Sequence, residues 1–429
     1  MSITKSSESV PSGTIRERSL AVATQAREEH SWLEKKLKPK KISARYPFKG
    51  KPLLYATCAF GSLGDALFGY NSGIMSGLLV NEVFISRFFK SYGGADGTTS
   101  GVDPSITGIS VACLQAAAAV GALIAGRLGD MIGRKKCVRV GAFIYFFSSF
   151  IQMFAPGFAT FIAGRTIQGV GVGFLSMTVP IIQTEIAAPH RRGLMEMFTR
   201  YRKRTIVGIT VQMFAQINGI NIISFYLPST LSSAGYDNRK SLLFTAANAL
   251  PYTAATIVTW WLADRWGRKP LLILGGLLMA VLLGVVCVFT EINVDVQVKA
   301  NGQYAFVMLY NIIYGFTWGP MPWLLPAEIF PLRGRSKGMA LATTSNWIFN
   351  FIIGMVSPDA FSGIHGYFYL VIAGFCLSSA VLVHFYYVET AHHSLEEIAV
   401  AFGDNAFADG DAEVMDMAGA KSEQVEYSA

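Results

Sequence analysis

GRLGDMIGRKK, residues 126–136, is a tight charged stretch clamped between two apolar runs, and it returns 134 residues later as ADRWGRKP, residues 263–270. In both copies an acid, Asp130 or Asp264, precedes a Gly-Arg-Lys turn made by Gly133, Arg134 and Lys135 or by Gly267, Arg268 and Lys269. Each copy joins the second and third apolar segments of its half, so the chain is a duplication. A short cytoplasmic loop collects Arg and Lys in any membrane protein. That tendency does not explain the same acid and the same Gly-Arg-Lys order at the same place in both halves.

Composition sets the class. Apolar residues make up 52% of the 429 residues and charged residues 15%, well below the roughly 25% charged of a soluble domain, and the mean hydropathy is +0.40. The net charge of +8 resides largely in short loops between apolar spans, where it marks topology and contact with lipid headgroups. Nucleic acid is excluded as a partner. Cys58, Cys113, Cys137, Cys287 and Cys376 fall in or beside apolar runs, with no CxxC and no ligand-like histidine nearby. They are packing residues, and neither metal nor cofactor is expected.

Residues 1–51 are polar and basic, lack the basic-then-apolar order of a signal peptide, and are expected to form a cytosolic tail. Apolar runs of bilayer-spanning length follow at 53–77, 105–126, 137–155, 158–184, 206–234, 242–263, 271–290, 304–326, 338–358 and 367–388. The expectation is an all-α membrane protein with about ten transmembrane helices. With the N-terminus inside, the inner loops hold Arg127, Arg134, Lys135, Lys136 and Arg139, a basic run from Arg191 to Arg204, Arg265 to Lys269, and Arg333 to Lys337. The outer loops hold only Arg87, Lys90, Arg239, Lys240 and Lys299. This bias places both termini in the cytosol.

Further motifs narrow the family. They are RTIQGVGVGFLSMTVPIIQTEIAAPHRRG at 165–193, QMFAQINGINIISFY at 212–226, GPMPWLLPAEIFPLRGRSKG at 319–338, TSNWIFN at 344–350, and VET with SLEEI at 388–398. Gly169, Gly171 and Gly173 are no dinucleotide fingerprint, since no strand precedes them and the run is membrane-long. Small residues so spaced let helices approach closely. As a set, over residues 53–398, these motifs resemble the sugar porter family of the major facilitator superfamily, at its fourth, seventh, tenth and eleventh helices and its C-terminal signature. The resemblance implies two six-helix halves that carry a hexose, pentose or small oligosaccharide by alternating access, facilitated or as proton symport, most naturally at the plasma membrane. It also implies conformational-switch roles for Asp130, Gly133, Arg134, Glu185, Arg192, Asp264, Gly267, Arg268, Glu328 and Arg333. An enzyme is disfavoured, because no Ser/His/Asp, Cys/His or metal-spaced constellation accompanies the spans.

The chemistry suits a sugar. A hexose is ringed with hydroxyls that donate and accept, and Gln212, Gln216, Asn221, Asn346 and Asn350 supply amides inside spans where a lone amide is costly. Trp323 and Trp347 can lay their rings on the sugar's C–H face. Each amide alone is equally well interhelical glue; five at family positions point to a binding site. Gly219 with Pro228, and Pro320, Pro322 and Pro326, mark interrupted helices beside the substrate path.

The chain also departs from the family pattern. Ala215 replaces one of two consecutive glutamines, Val388 replaces a proline, and His392-His393 replace Lys-Gly as loop drift rather than a metal site. The FGYN sequence ending at Asn71 carries an amide where proton-coupled members have aspartate, while Asp65 lies in the same span. Asp65 and Arg165 are candidates for a proton switch or a structural ion pair. Between the two charged loops six spans are expected and four are found, so the family's fifth and sixth helices are missing at a seam near Gly193 and Leu194. The resulting organisation is a tail at 1–51, an incomplete four-helix half at 52–193, a cytosolic connector at 194–205, a six-helix half at 206–390 and a tail at 391–429. The alternatives to a working transporter are a non-transporting sugar sensor and a splice or gene-model remnant. The expected partners are a small sugar, protons where coupling operates, and the bilayer.

Overall fold

Backbone in hydrocarbon finds no water for its N–H and C=O groups, so each apolar run closes its hydrogen bonds on itself as helix. The computed structural model describes residues 51–98, 101–185, 201–233, 235–331, 334–393 and 395–402. Its N-terminal helices are α1 (Lys51–Leu78), the short α2 (Glu82–Phe88), α3 (Pro104–Ile132), α4 (Arg134–Met153) and α5 (Phe158–Glu185). The C-terminal set is α6 (Arg202–Ile217), α7 (Ile220–Ser233), α8 (Asn238–Trp266), α9 (Arg268–Glu291), α10 (Val296–Phe316), α11 (Met321–Ile329), α12 (Arg335–Ile364), α13 (Phe368–Tyr386) and α14 (Leu395–Phe402). Every expected span is helical, with α6–α7 and α10–α11 each forming one interrupted span. Among the described residues, six stretches are long and apolar enough to cross a membrane by length and composition, and one of them, Arg335–Tyr386, contains both α12 and α13.

The repeated charged stretch is shorter than expected as a loop. Helix runs up to Ile132 and Trp266 and resumes at Arg134 and Arg268, leaving one residue as the corner. Gly133 (φ 89°, ψ 149°) and Gly267 (φ 90°, ψ 166°) adopt nearly the same backbone conformation, one that only glycine enters without strain. Identical corners in both halves are the structural counterpart of the sequence repeat.

Small residues determine how the N-terminal helices pack. Gly169 and Gly173 on α5 abut the carbonyls of Leu114 and Ala118 on α3, and a methyl added at Gly171 would stand 2.8 Å from the Gly141 carbonyl on α4. Any side chain there would push the helices apart. Across the halves, a methyl on Gly108 would come 2.7 Å from the Met355 carbonyl, and one on Gly126 2.6 Å from the Ala340 Cβ. At 1.5 Å per residue these two contacts are about 27 Å apart along α3, so α3 and α12 touch over nearly the depth of a bilayer.

One expectation needs correction. Pro228 does not interrupt its span, because α7 continues through it to Ser233, as membrane helices can where neighbours satisfy the freed carbonyl.

Candidate functional site

The break between α6 and α7 falls at Asn218 and Gly219, where Gly219 takes φ 104°. Carbonyls freed inside a membrane need donors, and α10 supplies them. Tyr310 donates its hydroxyl to the Asn218 carbonyl at 2.7 Å, and Tyr314, one turn on, donates to the Ala215 carbonyl at 3.0 Å. The second break, Thr317 to Pro320, lies between α10 and α11. There the Trp318 indole N–H donates to the Leu272 carbonyl at 2.9 Å, tying the break to α9.

These breaks bring the amides together. Gln212 is fully buried; its Nε2 donates to the Pro322 carbonyl at 2.8 Å, and its Oε1 accepts from Asn346 Nδ2 at 2.5 Å. One side chain thus links α6, α11 and α12. Asn221 donates its amide N–H to Gln216 Oε1 across the first break. Asn350, one turn beyond Asn346, is buried with its Oδ1 unpaired among the described residues, and so are the hydroxyls of Thr343 and Thr344. Trp323 is half-buried on α11. Trp347 is elsewhere: its ring is 1% exposed among N-terminal residues, and its N–H donates to Ser176 Oγ on α5 at 3.0 Å. It bridges the halves.

In the N-terminal half, Asn71 donates to Gln168 Oε1, and Gln168 Nε2 donates to Ser149 Oγ at 3.1 Å. Gln168 and the buried Gln115 were not singled out from the sequence, although both are intramembrane amides of the kind that identified Gln212. Arg165 is buried 5.9 Å over the Phe161 ring, its Nε unpaired among the described residues. Arg192, Arg333 and the side chains of Asp65 and Glu185 lie outside the described residues.

The two Gly-Arg-Lys corners hold ionic clusters at one end of the bundle. Arg134 pairs with Asp130 at 2.8 Å and donates to Ser336 Oγ on α12, crossing between the halves. Arg268 pairs with Glu328 at 2.8 Å and Asp264 at 3.3 Å. Glu389, just after α13, was also missed as a site residue: its carboxylate accepts from the N–H groups of Arg268 and Lys269, each at 2.9 Å, capping α9. Burial alone would raise its carboxyl, yet the N–H groups of Ala391, Arg268, Lys269 and Thr390 hold it below the usual value. Thr390 adds a 2.6 Å bond to Glu328. His392 Nε2 lies 2.6 Å from the Asp264 carbonyl, and no group of three or more potential metal ligands occurs among the described residues.

The family profile for sugar (and other) transporters matches residues 57–199 and 192–402, in two pieces that meet at the expected seam. Sugar transport protein 4 of Arabidopsis thaliana is 23% identical over 471 aligned positions, covering 82% of this chain and 91% of that protein. Since 82% of 429 residues is about 352, about 119 of those positions face no residue of this chain. The galactose-proton symporter of Escherichia coli K12 is 25% identical, covering 81% of this chain and 94% of that protein. The crystal structure of a D-xylose-proton symporter superposes with a TM-score of 0.64 at 20% identity, covering 80% of this chain and all of that one.

Proposed function

The chain belongs to the sugar (and other) transporter family, a family of multi-pass membrane transport proteins rather than enzymes, and from that premise we propose that it binds a hexose, pentose or small oligosaccharide on the alternating-access route. The observation that carries this is the Gln212 bridge from the Pro322 carbonyl to Asn346, with the unpaired acceptor of Asn350 one turn away. Buried acceptors without partners are rare unless a ligand or water serves them. Sugar hydroxyls are such donors. Trp323 and Asn221 complete the site, while Trp347 holds the halves together beside it.

Relatives named as proton symporters favour a proton as co-substrate. Asn71, an amide engaged with Gln168, does not titrate, which leaves Asp65 and Arg165 as the coupling pair. The basic bias of the loops favours cytosolic tails and cytosolic Gly-Arg-Lys corners, as a plasma-membrane carrier would have.

We also read the N-terminal half as two helices short. Only about 15 residues separate α5 from α6, where two spans need about 40, and the two-piece family match and the unfilled alignment positions agree. The halves then bind sugar without completing the transport cycle. Titration of the purified chain with D-glucose tests the site: Gln212→Ala should weaken binding at least tenfold, about 1.4 kcal/mol. Unchanged affinity would remove the amide web from the site.

A further inference from the structure

At the end of the bundle away from the Gly-Arg-Lys corners lies a cavity of about 480 Å³, within the range of small-molecule sites. None of the amides described above lines it. Its walls are Leu79 just past α1, the start of α3, the second half of α7 and the facing ends of α9, α10, α12 and α13.

Its polar lining is lopsided. Lys299 and His365 border the cavity, and no Asp or Glu does. Lys299 is half-buried and makes no ion pair among the described residues. Glu291, just outside the lining, reaches the same wall, accepting from the N–H of the lining residue Gly366 at 2.7 Å. Gln303 is 4% exposed; its amide donates to Thr290 Oγ1 at 2.7 Å, and its Oε1 is unpaired among the described residues. The hydroxyl of Ser229, also in the lining, makes no hydrogen bond among them either.

His365 sits at φ 48°, ψ −132°, a conformation that costs a non-glycine residue on the order of 1–3 kcal/mol and tends to persist where function needs it. The Glu291 bond to Gly366 pins that corner. The strain keeps an imidazole at the cavity wall where glycine would sit at no cost.

An unpaired cation in a half-buried cavity gains most from an anion, and unpaired hydroxyl and amide groups beside it gain from a hydroxylated one. We propose that this cavity binds a hydroxylated carboxylate, a sugar acid, with Lys299 and His365 meeting the carboxylate and Ser229 and Gln303 meeting hydroxyls. The proposal rests on the sugar-transport reading only in placing the cavity on the route to the amides; the binding itself is independent of it.

Calorimetric titration of the full chain with D-glucuronate and D-glucose provides the test. D-glucuronate should bind at least tenfold more tightly than D-glucose, Lys299→Gln should abolish that preference, and Lys299→Arg should keep most of it. His365→Gly relieves the backbone strain, so it should raise the melting temperature while weakening D-glucuronate binding. Gln212→Ala should leave D-glucuronate affinity intact even where it weakens D-glucose. Equal affinity for the two sugars, indifference to Lys299→Gln, or loss of D-glucuronate binding in Gln212→Ala would overturn the proposal. Failure of the amide site would show instead as D-glucose binding indifferent to Gln212→Ala.

Discussion

Glu389 shows what a single carboxylate does at a membrane-protein corner. The first N–H groups of α9 have no intrahelical acceptor, and Glu389 takes the first two while its charge sits at the positive end of the helix. A methyl on Gly267 would lie 2.5 Å from Glu389 Oε2, so glycine is required there twice over, for its φ of 90° and for the approach of the carboxylate. At Gly133 nothing among the described residues lies within 4 Å of the same position. Because the folded carboxyl is held below its ordinary value of 4.5, its stabilisation is present above about pH 4.5 and is lost as the pH falls through the lowered value. Glu389→Gln should therefore destabilise the chain by about 1 kcal/mol at neutral pH, given the half-exposed setting. The melting-temperature gap to the parent should close on acidification below pH 4.5; a gap independent of pH would deny the carboxylate this role. Gln212 and Asn346 were legible from sequence because an amide inside an apolar run is conspicuous. Glu389 and Trp347 were not: a carboxylate beyond a span looks like an ordinary loop residue, and nothing local says that an indole will reach across to Ser176.

Among elements, α8 carries the observation that bears most on our reading of the N-terminal half as two helices short. It holds the place in the C-terminal half that α3 holds in the N-terminal half, each leading into a Gly-Arg-Lys corner. The most apolar window of α3 is 67% buried, along α12 and α5 alike, whereas that of α8 is 17% buried. On our reading of the N-terminal half as two helices short, the internal repeat makes the partner of α8 the fifth helix of that half, the counterpart of α12. Ile257 at 68% and Trp260 at 77% exposure lie on the bare face. A spin label at position 257 in liposomes should be as accessible to dissolved oxygen as any lipid-facing site; a protected label would mean that something covers α8. The breaks were foreseen at Gly219 and Pro320 because a positive φ and a missing N–H are local properties. Pro228 misled, since whether a proline breaks a membrane helix depends on neighbours that sequence does not reveal.

At the scale of the molecule, our reading makes the two halves differ in completeness. The C-terminal half keeps six spans, a continuous core from Val207 to Phe402 and the capped corner at Gly267. The N-terminal half, which we read as keeping four, is clamped by Gly169, Gly171 and Gly173 and buries Arg165 and Gln168 inside it. The fold class was legible because duplication, span length and motif order are carried by the chain itself, whereas how unevenly α3 and α8 are covered emerges only from packing. Binding should survive where transport does not, since the amide web lies within the C-terminal half and alternating access needs both halves to seal. The most direct measurement is uptake of radiolabelled D-glucose by hexose-uptake-deficient cells expressing the 429-residue chain, alongside binding to the same protein purified from them. The account predicts measurable binding with saturable uptake below about a tenth of that given by a twelve-helix relative, a tenfold loss corresponding to about 1.4 kcal/mol. Robust, saturable uptake equal to the relative's would contradict it.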